Sequence, residues 1–378
     1  MKKRYLAVIV LLFICSIVKV NALTIDKCEV LASYKLYSSL DEENYICKGK
    51  EYGSSIDAIY YSGSGSKIIL NNFKLCKKDI LKFAPDAIIL IDYPGFNIKI
   101  AKFAHKHNIK VYYYISPQVW AWKKRRVHTL KKVVDKMLVI LPFEKPFYEE
   151  YDMEAHFVGH PLLDELSKLK NVNRKVFLKQ NNLDPKKEVI ALLPGSRKQE
   201  VSRMLEIMLK TIKFYPNYQF VIGCAPSLDE SFYKSIIGNE NVHLLFNKTY
   251  QILQIASAAM VTSGTATLET ALLYVPEVVC YKGNPISYHI AKKLIKVKFI
   301  SLVNLIMNKE VVKELIQDDL TPENIKKELD LILTSHKKQR DLLEDYDELK
   351  CVLGNAGASN NAASIIVSDL KKKKTVKS

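Results

Sequence analysis

At 378 residues the chain is long enough for about two domains, and with 48% apolar residues it can bury a substantial core, which excludes a largely disordered polypeptide. The formal net charge of +17 favours an anionic partner, whether nucleic acid, phospholipid or a phosphorylated substrate. The sequence carries no zinc-type cysteine pairing and no RNA-recognition signature, so nucleic acid is not the expected partner. Seven scattered cysteines, an odd number, point to reduced thiols, with only Cys28 and Cys47 close enough to suggest a disulfide.

In chain order, Lys2-Lys3-Arg4 precedes an apolar run from Tyr5 to Val18, and Val20-Asn21-Ala22 resembles a small-residue cleavage site. That is the layout of a secretory signal peptide and is short for a transmembrane helix. The alternative is a buried first strand, because Tyr5 to Phe13 also reads as a central parallel strand. From Asp79 onward apolar strands alternate with amphipathic helices. Strands are expected at Ala87–Ile91, Val111–Ile115, Met137–Ile140 and His156–Val158, with helices at Ile98–His107 and, strongly basic, Lys123–Val134. A second series comes after the charged stretch Ser167–Lys187: strands at Val189–Leu193, Phe220–Ile222, Ala259–Val261 and Glu277–Cys280, and a strand-like Lys298–Leu302. Thr321-Pro322-Glu323 predicts a helix start, with threonine as N-cap and proline at the first helical position. An apolar helix around Ala362–Leu370 and a Lys371–Lys374 tail close the chain. Lysine runs are usually solvated, but one beside a lipid-handling domain could touch anionic membrane.

This winding implies an α/β protein with two doubly wound, Rossmann-like parallel domains. The expected division is a leader or anchor at 1–22, an N-terminal domain at 23–165, a C-terminal domain at 166–340, and C-terminal helices with the basic tail at 341–378. Open parallel sheets bind ligands beyond the carboxyl ends of their strands. Asp92, Ser116, Glu144, His160, Arg197 and Ser263 all fall there, and two such domains facing one another would leave a cleft.

Tyr112 to Trp122, Tyr-Tyr-Tyr-Ile-Ser-Pro-Gln-Val-Trp-Ala-Trp, runs from a buried strand into a loop that holds both tryptophans, Trp120 and Trp122. Indoles just past a strand end suit a wall for an acyl chain or a sugar face; the plainer reading is a hydrophobic plug. Pro194-Gly195-Ser196-Arg197, with Glu200 after it, sits between a strand and a helix. Glycine permits close backbone approach, a helix N-terminus offers N–H groups, and Arg197 can fork two phosphate oxygens; a surface turn is the alternative. Ser263-Gly264-Thr265 forms a second such turn, and Glu269, one helical turn on, could accept from ribose hydroxyls. Together these suggest a nucleotide diphosphate site, and the absence of Gly-x-x-x-x-Gly-Lys and Gly-x-Gly-x-x-Gly argues against P-loop and dinucleotide readings. Asp92 could be a general base or a helix cap. His160 could meet phosphate or lock a turn, and Asn304 could bind a sugar hydroxyl or be an ordinary loop asparagine.

Taken in order, these motifs resemble bacterial lipid-A-disaccharide synthase. The resemblance is carried by Leu90–Asn97, Tyr113–Trp122, Leu141–Glu144, Phe157–Leu162, Leu193–Arg197 with Glu200, Ser263–Glu269, Ser301–Leu305 and Gly354–Ser359, and runs from about Lys67 to Leu370. It implies a GT-B glycosyltransferase with two Rossmann-like domains facing across a cleft. Such an enzyme joins UDP-2,3-diacylglucosamine to 2,3-diacylglucosamine 1-phosphate, forming a β-1,6 disaccharide and UDP by inversion, with no cofactor and no tightly bound metal. By motif, Asp92 would be the base or acceptor-positioning group, with Asn97 beside it. Arg197 would stabilise the UDP leaving group. Gly195, Ser196, Glu200, Ser263, Gly264, Thr265, Glu269 and Asn304 would hold the donor. Ser116, Gln118, Trp120, Trp122, Glu144 and His160 would complete the substrate-binding set. The family is peripheral on the cytoplasmic face of the inner membrane, so an anionic membrane surface is an implied partner; a homodimer is left open, and a true leader would mean an exported or organellar protein. The family's opening Gly-Glu-Ala-Ser-Gly-Asp is absent from residues 1–66. The competing readings are another UDP-sugar GT-B enzyme, such as an N-acetylglucosamine transferase or an epimerase, and a catalytically impaired binder of lipid or UDP-sugar.

Overall fold

The computed structural model describes residues 5–10, 29–30, 65–284, 288 and 297–375, with side chains from 73 to 371 within those ranges. Val20-Asn21-Ala22, the pair Cys28 and Cys47, and the side chains of Lys372–Lys374 lie outside the described residues. The chain divides into two compact units, Met1–Ser167 with Asn355–Ser378, and Lys168–Gly354.

The first unit holds a six-stranded sheet of order β2-β1-β3-β4-β5-β6. Its strands are β1 (Tyr5–Val10), β2 (Glu29–Val30), β3 (Ala87–Ile91), β4 (Lys110–Tyr114), β5 (Lys136–Val139) and β6 (Ala155–Phe157). Every pairing is parallel. All of Ala87–Ile91 is buried, as a strand covered on both faces requires. Such a strand cannot leave an edge of unpaired N–H and C=O groups. β4 takes one edge and β1 the other, in register from Leu6↔Ala87 to Val10↔Ile91. Tyr5–Val10, the described part of the opening apolar run, is a strand here, as the alternative reading of that run expects. Helix Pro94–Lys106 buries Phe96, Ile100, Ala101 and Ala104 against the sheet, and Phe96 stacks on Phe73 with ring centroids 4.1 Å apart. The expected basic helix at Lys123–Val134 is two pieces, a 3₁₀ turn Lys124–Arg126 and an α-helix Val127–Val133. Only Val127, Leu130 and Val133 supply apolar anchors, so the basic triplet ahead of them stays on the surface.

The last helix, Ala358–Thr375, belongs to this first unit. The Asp164 carboxylate accepts from the backbone N–H groups of Gly357, Ala358 (3.2 Å) and Ser359 (3.1 Å), placing a negative charge at the helix start. Further along, Asp369 pairs with Lys110 and accepts from the Tyr112 hydroxyl at 2.8 Å. The expected boundary at 340/341 is not where the units part. Helix His336–Leu353 is continuous through it, held in the second unit by fully buried Tyr346, whose hydroxyl donates to Val275 O at 3.3 Å.

The second unit holds β7 (Glu188–Leu193), β8 (Tyr218–Cys224), β9 (Val242–Phe246), β10 (Ala256–Thr262), β11 (Glu277–Tyr281) and β12 (Lys313–Ile316). Their order is β12-β11-β10-β7-β8-β9, again all parallel. Strand order reverses between β7 and β10, the crevice where doubly wound sheets bind ligands. Thr321 caps helix Pro322–Thr334 with proline in its first turn, as the sequence predicts. Lys298–Leu302 is not a strand: the Ser301 side chain accepts from Asn304 N and starts helix Leu302–Met307.

Among the described residues several polar side chains are buried, and Glu277 is the clearest case of a carboxylate left without a partner. Glu277 opens β11 at 1% exposure, and neither of its carboxyl oxygens has a hydrogen-bond partner among the described residues. Burial raises its pKa well above the ordinary 4.5, which favours the neutral acid in the folded protein. The stability that the neutral form contributes is fully present below the unfolded pKa and is lost as pH rises above it. Glu277→Met, close in volume, is expected to stabilise the protein by about 1–3 kcal/mol near pH 8, with the gain shrinking towards about pH 5. Thermal melting at both pH values checks this, and a variant no more stable than the parent near pH 8 refutes it.

Candidate active site

In both units the chemistry-bearing side chains gather at the carboxyl edge of the sheet. In the first, Ile91 pairs with Tyr114, Tyr114 with Leu138 and Val139 with Phe157, so Asp92, Ser116, Glu144 and His160 leave the sheet in neighbouring positions. The turn after β3 is strained, with φ of 48° at Asp92 and 39° at Tyr93. After β4, Ile115 has φ 61°, a genuine outlier for a β-branched residue. Each such residue costs roughly 1–3 kcal/mol and persists only when its surroundings fix it. For the turn after β3, Asn97 does so: fully buried, its Nδ2 donates to Ile91 O at 3.0 Å and to Asp92 O at 2.9 Å. Tyr113 also donates its hydroxyl to Asp92 O at 2.5 Å. The Asp92 carboxyl is left to one side of this clamp. Burial pushes its pKa up to about 6, opposed by the Tyr93 backbone N–H.

Glu144, 1% exposed, accepts from Leu141 N at 3.0 Å and from Trp120 Nε1 at 3.2 Å. Burial raises it to about 7 against those hydrogen bonds. Ser116 Oγ and Tyr148 Oη share a 2.7 Å hydrogen bond beside it. The two tryptophans part company. Trp120 packs edge-on against Phe143 at 4.9 Å and is tied to Glu144, which fits the plug reading. Trp122 is 50% exposed, with Lys123 Nζ 3.7 Å above its ring, and Gln118 is exposed as well. His160 is buried and its pKa falls to about 4 through desolvation. Its Nδ1 accepts from Leu162 N at 3.2 Å, capping helix Pro161–Leu166. That bond supports the turn-lock reading and leaves the ring's Nε2 as its donor.

In the second unit Leu193 pairs with Val261, so the turns after β7 and β10 emerge side by side at the switch point. A Cβ on Gly195 (φ 108°) would lie 3.7 Å from Thr262 Cγ2 and 3.1 Å from Glu200 Oε2, so glycine is what lets these groups close up. Arg197, about half exposed, heads helix Lys198–Leu209, and its guanidinium pairs with Glu200 at 2.9 Å. Gly264 precedes helix Thr265–Leu272, and a Cβ there would meet nothing within 4 Å. A helix N-terminus of this kind, next to an open glycine, is a place where an anion can be received. Thr262 Oγ1, buried at the end of β10, has no hydrogen-bond partner among the described residues. Glu269 is buried at 2% exposure, raised to about 7 by desolvation, and accepts from the Tyr250 hydroxyl at 3.3 Å.

Two donor-side expectations change. Ser263 Oγ donates to Ile300 O at 2.9 Å, and its backbone N–H to Cys280 O at 3.3 Å, so its donors are committed. Asn304 is neither a loop residue nor a sugar contact through its amide. Its Nδ2 donates to Val312 O (2.8 Å) and Glu314 Oε1 (2.9 Å), and its Oδ1 accepts from Val311 N (2.9 Å) and Val312 N (3.0 Å). An amide has no hydrogen-bonding capacity beyond that. Sequence reading missed Tyr113, Tyr148 and Glu314; a lone carboxylate inside Val311-Val312-Lys313-Glu314-Leu315-Ile316 was the available signal for the last.

The model of the lipid-A-disaccharide synthetase family matches residues 67–366. A lipid-A-disaccharide synthase of Syntrophus aciditrophicus is 42% identical over 311 residues, 80% of this chain and 81% of the relative. One from Geobacter metallireducens is 37% identical over 313 residues, 81% of each. Among solved structures, the UDP-GlcNAc 2-epimerase of Neisseria meningitidis superposes with a TM-score of 0.57 at 16% identity, covering 81% of each chain. A calicheamicin glycosyltransferase does so at 0.52 and 13% identity, over 90% of this chain and 84% of that one. At such identities those two speak for the fold alone, a two-sheet α/β architecture shared by GT-B glycosyltransferases and epimerases. The sequence relatives say more: with the family's pattern matched across both units, this chain belongs to the lipid-A-disaccharide synthetase family of glycosyltransferases.

Proposed function

We propose that the protein transfers 2,3-diacylglucosamine from UDP-2,3-diacylglucosamine to 2,3-diacylglucosamine 1-phosphate, giving the β-1,6 disaccharide 1-phosphate and UDP with inversion. The observation that carries the donor side is the pair of adjacent turns at the β7/β10 switch point, Pro194–Arg197 and Ser263–Thr265. In this reading the pyrophosphate meets the N–H groups that open helix Thr265–Leu272, and Arg197 neutralises the charge that grows on UDP as it departs. Glu269 serves the ribose hydroxyls. The acceptor's 6-hydroxyl attacks the donor's anomeric carbon, and Asp92 takes its proton. A carboxyl titrating at about 6 is mostly ionised at neutral pH yet more basic than an ordinary aspartate, as that task requires.

Acyl chains keep such substrates at a membrane surface. Exposed Trp122, with Lys123 at 3.7 Å and Arg126 at 6.0 Å from its ring, offers an aromatic and cationic face to anionic lipid. Among the described residues no helix is long and apolar enough to cross a membrane. We take the protein to be peripheral on the cytoplasmic face of the inner membrane.

Incubating purified protein with both diacylglucosamine substrates is expected to yield disaccharide 1-phosphate and UDP in equal amounts. Folded protein that binds UDP but makes no disaccharide would overturn the transferase reading in favour of a binding protein. Conversion of UDP-GlcNAc to its 2-epimer would favour the epimerase alternative.

A further inference from the structure

The donor turn at Ser263–Thr265 is not held by its own strand alone. Ser263 Oγ donates to Ile300 O at 2.9 Å, so the turn leans on the segment that precedes helix Leu302–Met307. That segment in turn rests on one carboxylate from β12. Glu314 accepts from Ile300 N (3.0 Å, Oε2), Ser301 N (2.9 Å, Oε1), Ser301 Oγ (2.7 Å, Oε1) and Asn304 Nδ2 (2.9 Å, Oε1). Asn304 braces the same assembly from the other side by gripping the backbone of Val311 and Val312. A single charge thus gathers donors from two backbone amides and two side chains, and bonds to an ionised acceptor are roughly twice as strong as neutral ones. β12 is the outermost strand, beyond β11 and β10, so the carboxylate works on the donor turn from outside it.

We infer that Glu314 is a positioning residue for donor binding, fixing the Ser263-Gly264-Thr265 turn through Ile300 and Ser301; this rests on the donor-site reading above. It touches no substrate itself. Its charge supplies rigidity, so that the N–H groups opening helix Thr265–Leu272 are aimed before the nucleotide arrives. Glu314→Gln keeps the shape but turns an amide N–H₂ towards groups that are themselves donors. The turn should then loosen for ground state and transition state alike, a loss of uniform binding.

The test is calorimetric titration with UDP, together with steady-state kinetics and thermal melting, on the full chain, Glu314→Gln and Ser263→Ala. The expected result for Glu314→Gln is a roughly tenfold weaker UDP affinity and an equal rise in donor KM, with kcat and acceptor KM within about twofold of the parent. Ser263→Ala, which spares Glu314 but cuts the tie to Ile300, should move the same two quantities in the same direction. It carries the test if Glu314→Gln does not fold. A merely structural role would instead lower the melting temperature and kcat while leaving donor KM alone, and that pattern overturns the inference. So does equal UDP affinity in parent and variants. Failure of the parent itself to bind UDP would instead overturn the donor-site reading, and the inference with it.

Discussion

Arg197→Ala is expected to lower kcat for disaccharide formation by about 10²–10³-fold, the usual cost of removing a preorganised group that meets charge developing in the transition state. Arg197 stands at the N-terminus of helix Lys198–Leu209, directly after the turn that leaves β7 at the switch point. Glu200, three residues on, accepts from its guanidinium at 2.9 Å, and the Gly195 backbone lies close against the same carboxylate. The side chain is therefore oriented before any phosphate arrives, while remaining about half exposed and able to reach one. Since UDP gains charge as the glycosidic bond breaks, the loss should fall mainly on kcat, with a smaller rise in donor KM. Arg197→Lys should recover only part of the rate, because an ammonium lacks the planar fork. Rates measured on variants with unchanged melting behaviour decide the matter; a folded Arg197→Ala within a few-fold of the parent would remove Arg197 from the chemistry.

Asp92→Asn is expected to cost about 10²–10⁴ in kcat, the range for losing a positioned general base. Its pH dependence gives a sharper signature. With the carboxyl raised to about 6 by burial, the base form is depleted as pH falls through that value. Acceptor kcat/KM in the parent should therefore be level at neutral pH, halve near pH 6 and fall tenfold per unit below it. Asparagine cannot titrate, so the variant's residual rate should lack this acid limb. Persistence of the limb in Asp92→Asn would assign it to another group, and Glu144, raised to about 7, would be the first to test. Because Asn97 and Tyr113 clamp the Asp92 backbone carbonyl rather than its carboxyl, the substitution leaves the strained turn its supports.

Much of this architecture is legible from residue order. The Ala87–Ile91 strand carries no polar residue, and Val189–Leu193 is equally apolar, so only a doubly covered parallel strand suits either. The residues just past each strand must then lie at a carboxyl edge, and Asp92, Ser116, Glu144, Arg197 and Ser263 fall there on that logic alone. Roles set by partners distant in sequence are not legible in this way. Asn304 reads as a loop asparagine until Glu314 and the Val311–Val312 backbone consume its amide. His160 reads equally as a phosphate ligand or a turn lock, and the cap its Nδ1 gives to Leu162 N is set by the local fold rather than by residue order. The opening segment is legible only in part: a basic triplet ahead of an apolar run describes a leader and a central strand equally well, and the pairing of Tyr5–Val10 with β3 is a contact that residue order does not show.

The Asp164 clasp on the N-terminus of helix Ala358–Thr375 has a consequence for biosynthesis. The unit that contains Asp164 is begun first, yet one of its helices is encoded after the whole of Lys168–Gly354. On the ribosome the middle of the chain has all its strands in hand before the beginning has its last helix. The first unit to be started is thus the last to be finished, and a message truncated near codon 354 would yield a complete second unit attached to an unclasped first.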